Sequence, residues 1–355
     1  MLNENQLKLL RHLSRCNLLD YPSCLDMLNN DGGSDRTALS YAFRPLTKNR
    51  YVSKDKRGCV SILAKGRALE PLLSAGGGEQ TRQRIMEVSR MAALMEKHGV
   101  PVLADRQEWE DTYFILSACW RGIAPGILST TRFTGMLMAG KHRLAVYDIG
   151  GGAMEWQVRA EGSLFYTRYG SYETKATGML LVCREDARVK AARNIIRQTM
   201  WNRRRLLQED CTERDRPVRW SRSPIKLKAQ YERVYLTTPE TLPVSLQRIL
   251  EEERYLQTLC VKNSGTLLGS QGIGDIEMHS RRLFVNPACD LLKYVHFFSA
   301  AKTYLGEKSE EKAYWPKITL ELCIWPEDTP IAGMYPELLD LKGLTVYVYR
   351  SKKDA

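Results

Sequence analysis

The chain has 355 residues, 43% of them hydrophobic and 26% charged, which suits two or three globular domains and excludes wholesale disorder. No apolar run approaches the ~20 residues of a membrane span, and the opening MLNENQLKLLRHLSRCN has no signal-peptide core, since polar residues interrupt every apolar pair. Nine cysteines, an odd number without a C-x-x-C pair, fit neither a disulfide framework nor a zinc site, so the expectation is a reduced, cytoplasmic protein with no membrane contact, metal or cofactor.

The net charge of +12 is unevenly spread. Residues 1–75 hold twelve Lys and Arg against seven Asp and Glu, and residues 183–230 hold fourteen against six. Those two blocks account for the whole excess. Clustered cations attract polyanions by releasing condensed counterions, which points to nucleic acid.

In chain order, residues 4–15 place Leu7, Leu9, Leu10 and Leu13 on one half of a helical wheel, with Lys8, Arg11 and Arg15 opposite. A second short helix fits Pro22 to Asn29, with the proline in its first turn. Asn30-Asp31-Gly32-Gly33 is turn chemistry, and Ser34 or Asp35 is placed to cap a third helix running to about Thr47. In that helix Leu39, Ala42, Phe43 and Leu46 can pack inward, which leaves Arg36, Thr37, Ser40, Tyr41, Arg44 and Lys48 outward. Pro45 removes one helical hydrogen bond and is predicted to kink or end the helix. Two short strands, 50–53 and 59–63, flank a basic tip that carries Lys54, Lys56 and Arg57, and a closing helix is expected over Ala68 to Leu73.

This arrangement reads as a winged helix-turn-helix, in which the third helix enters a DNA groove and the hairpin touches the backbone. The series Leu46-(x)4-Tyr51-Val52, then Gly58, then Leu63-Ala64-Lys65-Gly66-Arg67 resembles the winged-helix domains of MarR-like regulators. It also resembles the plasmid and transposon proteins of the replication-relaxation family. Arg50 stands where that pattern has glycine, and Ala64 where it has threonine. The resemblance implies a DNA-binding accessory protein of a mobile element, controlling replication, transfer or transcription.

Residues 74–79, SAGGGE, suggest a joint. The expected division is a DNA-binding domain over 1–75, a helical connector over 80–125 and a mixed α/β domain over 126–355. In the connector, a helix from Gln80 to about His98 carries an apolar stripe of Ile85, Val88, Met91, Ala92 and Met95, usable as core or as the seam of a homodimer.

Beyond it, strand patterns recur at 135–138, 142–148, 154–158, 164–169, 179–183, 232–236, 282–285, 317–324 and 344–350. Helical patterns occupy 185–207, 242–259 and 291–303, and the class is therefore α/β or α+β. Asp148 with Glu173 and Lys175 is similar to the PD-(D/E)xK pattern, in which two carboxylates hold Mg²⁺ and a lysine assists water. The replication-relaxation resemblance implies such a restriction-endonuclease-like body, with an active nuclease or nickase as the alternative to a scaffold without catalysis. Asp148-Ile149-Gly150-Gly151-Gly152 is similar to a phosphate loop of actin-like ATPases, but the second loop of that fold has no counterpart; a glycine hairpin turn explains it more simply. The five histidines are dispersed, with no H-x-x-x-H pair. Arginines with Trp201 and Trp220 over 201–228 suit contacts to a nucleic-acid backbone or a solvated loop. A third reading makes the protein an assembly factor whose winged helix docks other proteins.

Overall fold

The computed structural model describes residues 2–29, 35–69, 79–103, 112–117, 119, 132–150, 161, 176–195, 233–268, 274–279, 281–294, 297, 319–333 and 344–348. The chain divides into two compact units, Met1–Met138 and Ala139–Ala355, and the class is α/β, with helices and both antiparallel and mixed sheets.

The first unit opens with α1, Glu4–Cys16, which starts in a capping box: the Asn3 side chain accepts from the Gln6 N–H while the Gln6 side chain reaches back to the Asn3 N–H. It ends at Asn17 in the left-handed conformation. Then comes β1, Leu18–Asp20, a strand that the sequence reading did not anticipate, since three residues are too short to show a period. Helix α2, Tyr21–Leu28, is capped by Asp20 and has proline in its first turn. Helix α3, Arg36–Lys48, is capped by Asp35, whose side chain accepts from the Ala38 N–H at 2.7 Å.

Pro45 does not end α3. The helix runs three residues past it, and the Asn49 N–H donates to the Pro45 carbonyl at 3.0 Å. Only the hydrogen bond that residue 45 would have donated is lost, and Phe43 and Leu46, both buried, anchor the turns on either side. Strands β2 (Val52–Lys54) and β3 (Cys59–Ile62) form the hairpin, and β1 pairs with β3 to complete a three-stranded antiparallel sheet of order β1-β3-β2.

A short helix, α4, spans Ala64–Arg67; of the closing helix expected over Ala68 to Leu73, Ala68 and Leu69 form a turn and the rest lies outside the described residues. A Cβ at Gly66 would come within 2.6 Å of the Tyr51 carbonyl oxygen and 2.8 Å of Ile62, so this position admits only glycine and pulls α4 onto the hairpin. One core joins these elements, built from Leu9, Leu13, Leu28, Phe43, Leu46 and Val60 among others. Truncating a residue such as Leu13, which is fully buried, costs about 2–5 kcal/mol.

Helix α5, Glu79–Lys97, lies in the same unit, with Met91, Ala92 and Met95 buried. Its contacts with α1 are polar as well as apolar. The buried His12 places Nδ1 3.0 Å from a Glu96 oxygen and Nε2 3.0 Å from the Ser89 hydroxyl. Burial opposes the charged imidazole, but Cys16 and Glu96 outweigh it and raise the His12 pKa to about 10. Strands β4 (Val102–Leu103) and β5 (Thr112–Leu116) pair in parallel, and β6 is Gly135–Ala139.

The second unit carries parallel strands β7 (His142–Ile149), β8 (Gly178–Cys183) and β9 (Arg233–Thr237). All six residues of β8 are buried, the unbroken apolar run that a strand covered on both faces requires. A helix α6 occupies residues 185–195, and α7 is Leu242–Lys262. A further sheet holds β10 (Thr266–Leu267), β11 (Ile276–Met278), β12 (Arg281–Val285), β13 (Thr319–Ile324) and β14 (Leu344–Val348), in that order. It is antiparallel from β10 to β12 and parallel from β12 to β14. The strand patterns at 154–158 and 164–169, the stretch 196–228, which includes the end of the expected 185–207 helix, and all of the 291–303 helix except 291–294 and 297 lie outside the described residues.

Candidate nucleic-acid interface

Six exposed cations of the first unit lie on α3 and the hairpin, Arg36, Arg44, Lys48, Lys54, Lys56 and Arg57, and others, among them Arg11, Lys65, Arg82, Arg90 and Lys97, lie elsewhere on it. Leu39, Phe43 and Leu46 fix which side of α3 faces the core. Arg36, Thr37, Tyr41, Arg44 and Lys48 are then exposed, Tyr41 at 61%, and Ser40 is half-buried. No Asp or Glu interrupts α3 between Arg36 and Lys48. The Arg44 guanidinium lies over the Tyr41 ring, 4.9 Å from its centroid, a cation–π contact between two outward side chains.

On the hairpin, Lys54, Lys56 and Arg57 are exposed, and Gly58 takes the positive φ of +79° that the turn needs. Asp55 organises the tip: its Oδ1 accepts from the Arg57 N–H at 2.9 Å and the Cys59 N–H at 2.8 Å. Its Oδ2 meets the Arg82 guanidinium of α5 at 3.1 Å. The Cys59 N–H, helped by Arg82 and the Arg57 N–H, holds the Asp55 carboxyl below the usual range.

Sequence reasoning missed the residue that ties α3 to the hairpin. Tyr21 donates its hydroxyl to Ser40 Oγ at 3.1 Å and packs edge-on against Phe43, the ring centroids 5.1 Å apart. Its ring face carries the Lys54 ammonium 3.3 Å from the centroid, and its backbone N–H donates to the Gly58 carbonyl at 2.9 Å. Helix α3, strand β2 and the tip therefore share one anchor. The signal available was an aromatic directly before Pro22, at a helix start, where no apolar period called for it.

Arg50 has φ +58°, in the left-handed region that favours glycine. This is the place where the quoted pattern has glycine. The turn leads straight into Tyr51, whose N–H donates to the Leu46 carbonyl and whose carbonyl accepts from the Leu63 N–H, both at 2.9 Å.

Asp148 lies half-buried on β7, opposite Val182 of β8 in the ladder. Glu173 and Lys175 lie outside the described residues, so the nuclease-like trio is not assembled from described positions. Among the described residues, no group of three His, Cys, Asp or Glu side chains could hold a metal ion, and no helix is long and apolar enough to cross a membrane.

A second charged cluster forms in the second unit from residues distant in sequence. Glu252 of α7 is paired with Arg233 and, at 3.2 Å, with Lys293, which also meets Asp275 at 3.0 Å. Burial works against ionised Glu252, but Lys293 and Arg233 hold its carboxyl below the usual range. Asp290 accepts from the Val234 N–H at 3.1 Å and the Leu292 N–H at 2.9 Å, and burial pushes its pKa up to about 6. These charges are matched to one another.

No family model, curated protein or solved structure matches the chain. The residues themselves therefore carry the functional reading.

Proposed function

We propose that the first unit is a winged helix that binds duplex DNA, with α3 as the recognition helix and the β2–β3 hairpin as the wing. The supporting observation is the outward face of α3: Arg36, Thr37, Tyr41, Arg44 and Lys48 are exposed together and no carboxylate lies among them. An α-helix fits the major groove, and residues in its first turns, here Arg36 and Thr37, reach base edges. Arg44 and Lys48 then meet phosphates, as do Lys54, Lys56 and Arg57 of the wing, and these contacts fix register. Arg50 in a glycine-type conformation and Gly66 against the Tyr51 carbonyl support the likeness of Leu46–Arg67 to the replication-relaxation pattern. On that likeness the protein serves a mobile genetic element, as an accessory or regulatory factor in replication, transfer or transcription.

The test is the affinity of the full chain for labelled duplex DNA across a salt series. Log K is expected to fall by about 0.9 for each phosphate neutralised per tenfold rise in salt. Arg36→Ala with Arg44→Ala is expected to weaken binding by roughly tenfold or more. Unchanged affinity in that variant, or a flat salt response, overturns the reading.

A further inference from the structure

Asp55 is the one carboxylate in a tip otherwise built from Lys54, Lys56 and Arg57. Its two oxygens have separate duties. Oδ1 closes the turn through the N–H groups of Arg57 and Cys59, and Oδ2 faces outward to Arg82, near the start of α5. The Arg82 and Asp55 side chains are 45% and 37% exposed. Exposed pairs of this kind shift an equilibrium by a factor of about five or less, because water screens them and two flexible side chains must be ordered. A DNA phosphate offers the same guanidinium a charged, bidentate-capable partner within a much stronger surrounding field.

Resting on the DNA reading above, we propose that Arg82 is a third arm of the interface: a phosphate-binding guanidinium on α5, held beside the hairpin tip by Asp55 until duplex DNA takes its place. Binding exchanges the Asp55–Arg82 pair for an Arg82–phosphate pair. The backbone footprint then runs from α3 across the hairpin to the first turns of α5. Asp55 keeps the free tip ordered and tempers its attraction for polyanions in general.

The rival account is a brace, in which Arg82 serves only to position the hairpin. The two accounts differ in sign at Asp55→Asn, since asparagine retains a side-chain carbonyl for the Arg57 and Cys59 N–H groups but removes the charge that holds Arg82. The experiment is fluorescence anisotropy of the full chain with a labelled random-sequence duplex over a salt series. Arg82→Ala is expected to weaken binding roughly three- to tenfold and to make the slope of log K against log salt shallower by about 0.9, while Arg82→Lys retains the slope. Asp55→Asn is expected to tighten binding roughly two- to fivefold. Weaker binding in both Arg82→Ala and Asp55→Asn overturns the arm in favour of the brace, and so does an unchanged slope in Arg82→Ala. If Arg82→Ala lowers the melting temperature, Arg82→Gln, which keeps the stem and a donor, carries the same test. Loss of binding in the Arg36/Arg44 double variant with no effect at Arg82 defeats this proposal alone. No loss in either defeats the DNA reading beneath it.

Discussion

The two charged regions of this chain use the same residue types to opposite ends. In the second unit, Arg233, Lys293, Glu252 and Asp275 close on one another, with Glu252 only 6% exposed. On α3 and the hairpin the cations face solvent, with Asp55 as the single acid at the tip. A buried ion pair has already given up water and gains it back only through its partner, so removing one member strands the other. An exposed cation keeps its hydration and loses little when deleted. Interior charges here govern stability, and surface charges are available for binding.

The largest effect that would break this contrast is expected at Glu252→Ala. It leaves Arg233 and Lys293 without their shared carboxylate and should cost roughly 3–5 kcal/mol in urea unfolding of the second unit, with DNA affinity of the folded protein unchanged. A cost below about 1 kcal/mol would mean that water reaches the cluster and the contrast is false. Arg36→Ala with Arg44→Ala, by comparison, should move stability by no more than about 0.5 kcal/mol.

The pH dependence of the first unit comes next. His12 has its folded pKa raised from 6.5 to about 10, so the folded state holds the proton more tightly. Its contribution is full below about pH 6.5 and is lost as pH rises through about 10, on the order of 1 kcal/mol per pH unit in that window. Thermal melts at pH 6, 8 and 10 measure this, and His12→Phe should flatten the trend. Tyr21→Phe removes only the bond to Ser40 and should cost about 1 kcal/mol. Tyr21→Leu, which also removes the ring under Lys54, should weaken DNA binding beyond what Tyr21→Phe does; equal affinities would reduce Tyr21 to a core residue. The smallest effect is a gain. Arg50→Gly relieves a left-handed conformation and should raise stability by up to about 1 kcal/mol in chemical denaturation.

Much of the first unit was legible because its signals are local. Asp35 sits where a cap belongs, and Leu9, Leu13, Leu39, Phe43 and Leu46 keep the helical period, whereas the caps at Asn3 and Asp20 emerged only in the fold. What escaped was set by contacts across the fold. Strand β1 exists because Leu18, Leu19 and Asp20 find β3 as a partner, and α4 starts at Ala64 because Gly66 allows close approach to Tyr51. Pro45 leaves α3 running to Lys48, close to the end expected near Thr47, with Phe43 and Leu46 buried on either side of it. The Glu252 cluster draws on positions 233, 252, 275 and 293, which no window of sequence brings together. One clue did exist: Leu242, Ser245, Leu246, Ile249 and Glu252 form the buried face of α7, and a carboxylate on such a face requires a cation opposite.

Tyr21 has a consequence for altering the molecule. It grips α3 through Ser40 and Phe43, while Arg36, Thr37, Tyr41, Arg44 and Lys48 point away from that grip. The helix is thus a cartridge, clamped along one side and free to be re-lettered along the other. A library randomised at those five positions, with Ser40 and Phe43 left alone, should yield folded variants throughout and, on the proposed DNA-binding role, let new target sequences be selected without redesigning the scaffold.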